Sequence, residues 1–291
     1  MTDYRFELLK PEDGEKLGLL LYEGFPVPQG TSFFDDFPVW NPAIPNPARY
    51  QLGAWLSNRM VGSASLRFSE YIHGGHRYPI AMLGAVVTDG EYQKQGIASA
   101  LVEKLCAEAD RRGVGATVLW GSDLKFYSKF GFVTGGQQWR ASLQPLGQIG
   151  KTGSDIREGW SPRIFDFFRE RKEGVQYLSG DFAWLCKHKN VSWITKWENG
   201  NPLAYVAIGR GIDLFNLVHE FGGSENALLD LLSFTARAIP KSEQLFHPKH
   251  ILMYPFLSKL IAPVRETQFL IRKKDESFPT DDVWLTGMDS C

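Results

Sequence analysis

Three observations predict an α/β protein. A short apolar run at residues 81–88 ends at Asp89-Gly90, and a stretch of helical periodicity follows within a few residues, so a buried strand closes in a turn and feeds a helix. The same order of strand, glycines and helix returns in the second half, at 214–218, Gly222-Gly223 and Ser224 onward. The composition, 43% apolar and 22% charged over 291 residues, is that of a globular chain long enough for one large or two ordinary domains.

Residues 4–9 alternate as a first strand, and Pro11 opens a helix to about residue 22 whose Leu17, Leu20 and Leu21 form one face. From 25 to 50, Pro26, Pro28, Pro38, Pro42, Pro45 and Pro47 forbid a regular helix or central strand, while Phe33, Phe34, Phe37 and Trp40 resist exposure. An ordered lid packed over the domain is expected. Residues 50–68 read as a hairpin turning at Ser57-Asn58-Arg59. His73-Gly74-Gly75-His76 reads as a turn; with no Cys or carboxylate cluster beside its two imidazoles, no metal site is expected.

The helix at 96–112 sets Ile97, Leu101 and Leu105 one turn apart, with Ala98, Val102, Cys106 and Ala109 beside them and Glu103, Lys104, Glu108 and Arg111 outside the stripe. A strand follows at 116–121, then a short helix capped by Ser122-Asp123. Strands at 132–134 and 139–143 flank the Gly135-Gly136 break. This layout closes a first domain at 1–145, leaves a Gly-rich linker at 146–160 and opens a second domain at 161–291. Gly150-Lys151-Thr152 in the linker is not a phosphate-binding loop, because Pro145 stands where that pattern requires Gly and no helix signal follows. The second half begins with a hairpin at 191–209 around Asn199-Gly200 and continues through a strand to a helix at 224–238 lined by Leu228, Leu231, Leu232 and Thr235.

A formal net charge of −1 and a pI near 6.6 give no electrostatic footprint for nucleic acid. No apolar run approaches the ~20 residues that span a bilayer, and the N-terminus lacks a signal pattern, so a cytoplasmic protein without a membrane partner is expected. Three cysteines at unrelated spacings argue against a disulfide framework.

Before the first turn of the 96–112 helix closes, the backbone N–H groups of 94–99 lack intrahelical partners, and the helix dipole adds positive charge there. An anion is the natural guest. Gly96 lets a phosphate approach the backbone, and Gln93 and Lys94 add donors. Gln93-x-x-Gly96-x-Ala98, after a strand and opening a helix, resembles the acyl-CoA pyrophosphate loop of the GNAT superfamily of N-acetyltransferases. Phe126-Tyr127-Ser128-Lys129-Phe130-Gly131-Phe132 is similar to a second signature of that superfamily, in the same order along the chain.

The resemblance implies a mixed, mostly antiparallel central sheet flanked by helices. The second half reads as a degenerate second copy, in which Glu220 and Glu225 stand where pyrophosphate would bind; an unrelated α/β cap is the alternative. It further implies an acetyl-CoA-dependent N-acyltransferase acting on a primary amine, with acetyl-CoA as acyl donor. Val86, Val87, Gln93, Lys94, Gln95, Gly96, Ile97, Ala98, Ser99 and Tyr127 would form the cofactor site, with an oxyanion donor on the strand at Val86-Val87. Tyr127 matches the family's general acid. Asp35, Asp36 and Trp40, in the lid bordering the family's acceptor site, are the substrate-binding candidates.

An amine of pKa ~10.4 is neutral in about one molecule in 2,500 at pH 7, a cost of roughly 4.6 kcal/mol, so a base is expected. Glu91, Asp89 and Glu70 all stand near the strand ends; Glu91 is the working candidate, though the residues alone do not choose among them. A CoA-binding sensor or interaction module without turnover is the competing class, and a homodimer is a further expectation.

Overall fold

The computed structural model describes residues 3–150, 155–260, 263–266 and 269–289. In chain order the first part holds β1 (Arg5–Leu8), α1 (Gly14–Gly24), α2 (Phe33–Asp36), β2 (Arg49–Leu56), β3 (Arg59–His73), β4 (His76–Thr88), α3 (Ile97–Arg111), β5 (Ala116–Trp120), α4 (Leu124–Tyr127) and β6 (Val133–Gly135). There follow β7 (Gln138–Ser142), β8 (Ile156–Glu158), α5 (Ile164–Arg169), β9 (Gly174–Val175), α6 (Phe182–Leu185), β10 (Ser192–Glu198), β11 (Asn201–Arg210) and β12 (Asp213–Gly223). The chain ends with α7 (Glu225–Ala238), β13 (Glu243–Phe246), α8 (His250–Met253), β14 (Val264–Glu266) and β15 (Phe269–Lys273).

Two mixed, mostly antiparallel sheets flanked by helices result, and their strand orders correspond. The first runs β1-β2-β3-β4-β5-β15-β6, with β9 added on β3; the second, read from its far edge, runs β8-β10-β11-β12-β13-β7-β14. In each, one parallel pair carries a crossover helix: β4 with β5 around α3, and β12 with β13 around α7. Each sheet takes its penultimate strand from the other half. β15 lies between β5 and β6, and β7 lies between β13 and β14.

This reciprocal exchange corrects the expected division. The strand anticipated at 139–143 pairs in the second sheet, Trp139 opposite Phe246, and the first sheet is finished by residues from the end of the chain. The residue types account for it: the slot between β5 and β6 is covered on both faces, so it needs an apolar strand. Phe269, Leu270 and Ile271 are 0%, 2% and 0% exposed there. The expected linker is also partly built in. Leu146 is buried against α7 and Ile156–Glu158 pairs with β10, while residues 151–154 of the rejected phosphate-loop pattern lie outside the described residues.

Among the described residues three large cores hold these layers, beside a small cluster of Leu217, Leu245 and Trp284. Ile97, Leu101, Val102 and Leu105 of α3 pack on one face of the first sheet, as expected. Leu228, Leu231 and Leu232 of α7 do the same on the second. The third core lies between the two halves and is aromatic: Phe33, Phe37 and Trp40 of the lid meet Phe168, Tyr177, Trp184, Trp193 and Tyr205. Arg67 crosses this junction, 2% exposed, bonded to Asp181 at 3.1 Å and stacked between Tyr177 and Trp184. Among the described residues no helix is long and apolar enough to cross a membrane.

Candidate active site

The site begins where β4 and β5 part. Their parallel register holds for Ile80, Ala81 and Met82 against Ala116, Thr117 and Val118, and then stops although both strands continue. Opposite β3, Ser65 faces Gly84 and Ser63 faces Val87, so Ala85 and Val86 together face Ala64. This is a β-bulge, and Ala85 sits at φ +50 within it. A non-glycine residue in that region stores on the order of 1 kcal/mol or more of strain, the kind found where a backbone group must be aimed out of a ladder. The side chains divide across the sheet: Val86 and Leu119 pack towards α3, Val87 and Trp120 towards α1 and the lid.

On the α3 side the opening continues into a groove of about 640 Å³ lined by Thr88, Tyr92, Gln93, Lys94, Gly96, Ile97, Ala98, Ser99, Asp123, Phe126 and Lys129. Gly96 is the N-cap of α3 at φ +85, and a Cβ built on it would meet nothing within 4 Å. Lys94 also has positive φ, so the loop doubles back before the helix. The bond from Ala100 N–H to the Gly96 carbonyl, 2.9 Å, opens the helix, which leaves the N–H groups of Ile97, Ala98 and Ser99 free at the groove. Thr88 Oγ1 is buried at its edge without a partner among the described residues.

Tyr127 ends α4, its ring 4.8 Å from Phe126 and 5.7 Å from Phe132, centroid to centroid. Burial, helped by the Asp123 charge, raises its phenol to about 12, and among the described residues its hydroxyl has no partner. The groove thus brings together Gln93, Lys94, Gly96, Ile97, Ala98 and Ser99, with Val86 and Tyr127 packed on the same side of the sheet and Val87 on the opposite side. Gln95 faces elsewhere, accepting a 2.5 Å bond from the Tyr4 hydroxyl. Lys129 is an addition: it donates to Ser99 Oγ at 2.7 Å across the groove. It stands inside the second motif, so the sequence held the signal.

The lid is ordered and packed, but not as a set of acceptor-binding side chains. Asp36 is fully buried and accepts from Asn190 Nδ2 and from the N–H groups of Gly211 and Ile212, so it pins the lid to the second half. Trp40 is 0% exposed, a core residue. Asp35 caps α2 and pairs with Lys189 at 2.8 Å. Each of the three is engaged in structure. A pocket of about 250 Å³ opens instead beside Trp120, lined by Phe25, Pro26, Phe37, Arg210, Ile212 and Asp213. Arg210 stacks over Phe37 at 4.1 Å and binds Asp213 at 2.7 Å. No local pattern points to these last residues, which arrive from the β11–β12 turn only when the halves associate.

The carboxylates considered as base are all engaged. Glu91 is 72% exposed, paired with Arg59 at 2.9 Å and outside both linings. Asp89 accepts from Glu91 N–H and Arg59. Glu70 pairs with Arg77. In the second half, Glu220 is buried against Arg171 at 2.7 Å and the Tyr205 hydroxyl.

Residues 11–135 match the family described as an acetyltransferase (GNAT) domain. No curated protein matches the chain by sequence. Among solved structures, a probable N-acyltransferase from Enterococcus faecalis superposes with a TM-score of 0.68 at 15% identity, over 94% of this chain and 73% of that one. A GCN5-related N-acetyltransferase from Kribbella flavida gives 0.66 at 17% identity, over 94% and 71%. A putative acetyltransferase from Pyrococcus horikoshii gives 0.61 at 15% identity, over 100% and 97%. The fold of the whole chain is that of these proteins.

Proposed function

With residues 11–135 a GNAT acetyltransferase domain, we propose that this protein is an acetyl-CoA-dependent N-acetyltransferase acting on a primary amine. The observation that carries the reading is the parting of β4 and β5 at the Ala85 bulge, with an anion-receptive helix start on one side and an aromatic pocket on the other. The pyrophosphate rests on the N–H groups of 97–99, with Lys94 and Lys129 adding charge. The thioester lies between the parted strands. The amine sits beside Trp120 and Phe25, whose ring faces suit a cation and tolerate its neutral form.

The amine nitrogen attacks the thioester carbonyl carbon, and backbone N–H at the bulge stabilises the oxyanion. The carbon–sulfur bond then breaks, the departing thiolate takes the Tyr127 proton, and the proton that the acylated nitrogen gives up returns to the phenolate through water. A phenol held near 12 is fully protonated at neutral pH, the state an acid requires. With Glu91, Asp89 and Glu70 committed to ion pairs, the amine loses its proton to water at the mouth of the pocket. The unit built on the first sheet is catalytic in this reading, and the second contributes Arg210 and Asp213 to the acceptor pocket.

Release of free thiol from acetyl-CoA across polyamines, aminoglycosides, amino acids and peptides tests the proposal. Turnover with at least one amine is expected. Tight acetyl-CoA binding with no thiol release across the panel would make it a CoA-binding module instead.

A further inference from the structure

The second sheet repeats the opening of the first. β12 and β13 stay in parallel register only at Leu217–Glu243 and Val218–Gln244, and both strands continue beyond. The chain leaving β13 makes a turn that fixes two imidazoles. His247 N–H donates to His250 Nδ1 at 3.3 Å, and Lys249 N–H donates to His247 Nδ1 at 3.2 Å. An Nδ1 that accepts puts the proton of a neutral ring on Nε2, so both rings present an Nε2–H donor. Burial, the largest cause for each, lowers His247 to about 4 and His250 to about 3, and both are neutral at pH 7.

Those donors have no acceptor among the described residues. His247 is 4% exposed, and its Nε2 is buried and unpartnered. A buried donor left unpaired costs about 1–3 kcal/mol. The ring centroids lie 6.2 Å apart, and both rings line a cavity of about 360 Å³ with Trp284, which stands 5.3 Å from His250. The cavity shares His250, Met253 and Trp284 with a neighbouring one of about 260 Å³ walled by Phe221 and Tyr254. Of its acids, Asp282 holds Lys249 at 2.7 Å, and Glu173 accepts from Gly74 N–H at 2.9 Å, with His73 between the two. Among the described residues no group of three His, Cys, Asp or Glu is placed to hold a metal ion.

We propose that this cavity is a second ligand site, which takes a small carboxylic acid with an aryl or alkyl body. The carboxylate accepts from His247 and His250 Nε2–H, and the body lies on Trp284 and Met253. The site is remote from the acetyl-CoA groove: it opens at the His73–His76 turn, the far end of β4, roughly 40 Å along that strand at ~3.3 Å per residue.

Phenylacetate is the probe, on the full chain labelled with ¹⁵N-histidine. Saturable binding should shift the Nε2–H resonances of His247 and His250 and raise the melting temperature, while 2-phenylethylamine, of the same shape and opposite charge, does neither. His247→Phe keeps the ring volume and removes one donor, so it should weaken phenylacetate about tenfold or more, and His247→Gln should recover part of the loss. Should His247→Phe fail to fold, the resonance shifts in the unmodified chain decide alone. The proposal is overturned if phenylacetate at saturation moves neither Nε2–H signal, if the amine binds equally well, or if those signals report contact with water only.

Discussion

Gly96 offers a way to separate strain in the protein from obstruction of the ligand. It caps α3 at φ +85, and a Cβ there would meet no atom within 4 Å. Gly96→Ala therefore creates no clash in the free protein and carries only the left-handed backbone penalty, about 1–2 kcal/mol. For a chain of this size that lowers the melting temperature by a few degrees, at about 2–4 °C per kcal/mol. The methyl group projects into the groove where pyrophosphate must approach the backbone, so the loss in acetyl-CoA affinity should be larger, at least tenfold, or about 1.4 kcal/mol. Gly96→Asn distinguishes the two effects, because asparagine tolerates the left-handed region and still carries a Cβ. It should recover most of the melting temperature and none of the affinity. Scanning fluorimetry and titration calorimetry on the three proteins give both numbers. Parental acetyl-CoA affinity in Gly96→Ala, with the expected loss of stability, would remove this loop from the binding site.

Tyr127→Phe keeps the ring against Phe126 and Phe132 and deletes a hydroxyl with no partner among the described residues, so stability and acetyl-CoA affinity should hold while kcat falls roughly 10² to 10⁴-fold; a parental kcat would leave water as the acid. Because burial raises this phenol to about 12, its proton is retained as pH rises, and the kcat of the parent protein should show no Tyr127 ionisation step between pH 7 and 10. Arg67→Met strands the buried Asp181 carboxylate across the junction of the halves and should lower unfolding free energy by about 3–5 kcal/mol in urea titrations; Arg67→Met with Asp181→Leu should recover much of that, and equal losses in the single and double variants would count against the pair. Residues 1–145 expressed alone lack β15 and leave β5 and β6 without the strand that joins them, so cooperative unfolding and acetyl-CoA binding should be lost and restored by co-expression with the remainder; a stable, binding-competent fragment would contradict the reciprocal exchange.

Elements governed by neighbours in sequence were legible without a structure. α3 carries its apolar stripe every third and fourth residue, and Asn199-Gly200 turns the β10–β11 hairpin where such a dipeptide should. The helix-start groove was equally readable, since Gln93, Gly96 and Ala98, which line it, stand a few residues apart in the chain. Tertiary structure decided what depends on distant partners. Whether Phe269–Lys273 closes the first sheet or the second turns on which slot is covered on both faces, and no local pattern encodes the partner strand. Asp36 and Trp40 had the composition of a binding lid, yet the second half buries both, Asp36 through Asn190, Gly211 and Ile212. The pocket beside Trp120 and the paired Nε2–H donors of His247 and His250 exist only once residues far apart in the chain share one cavity. Burial and hydrogen-bond satisfaction are properties of the assembled chain, so a side chain's chemistry was legible where its partners were near in sequence and open where they were not.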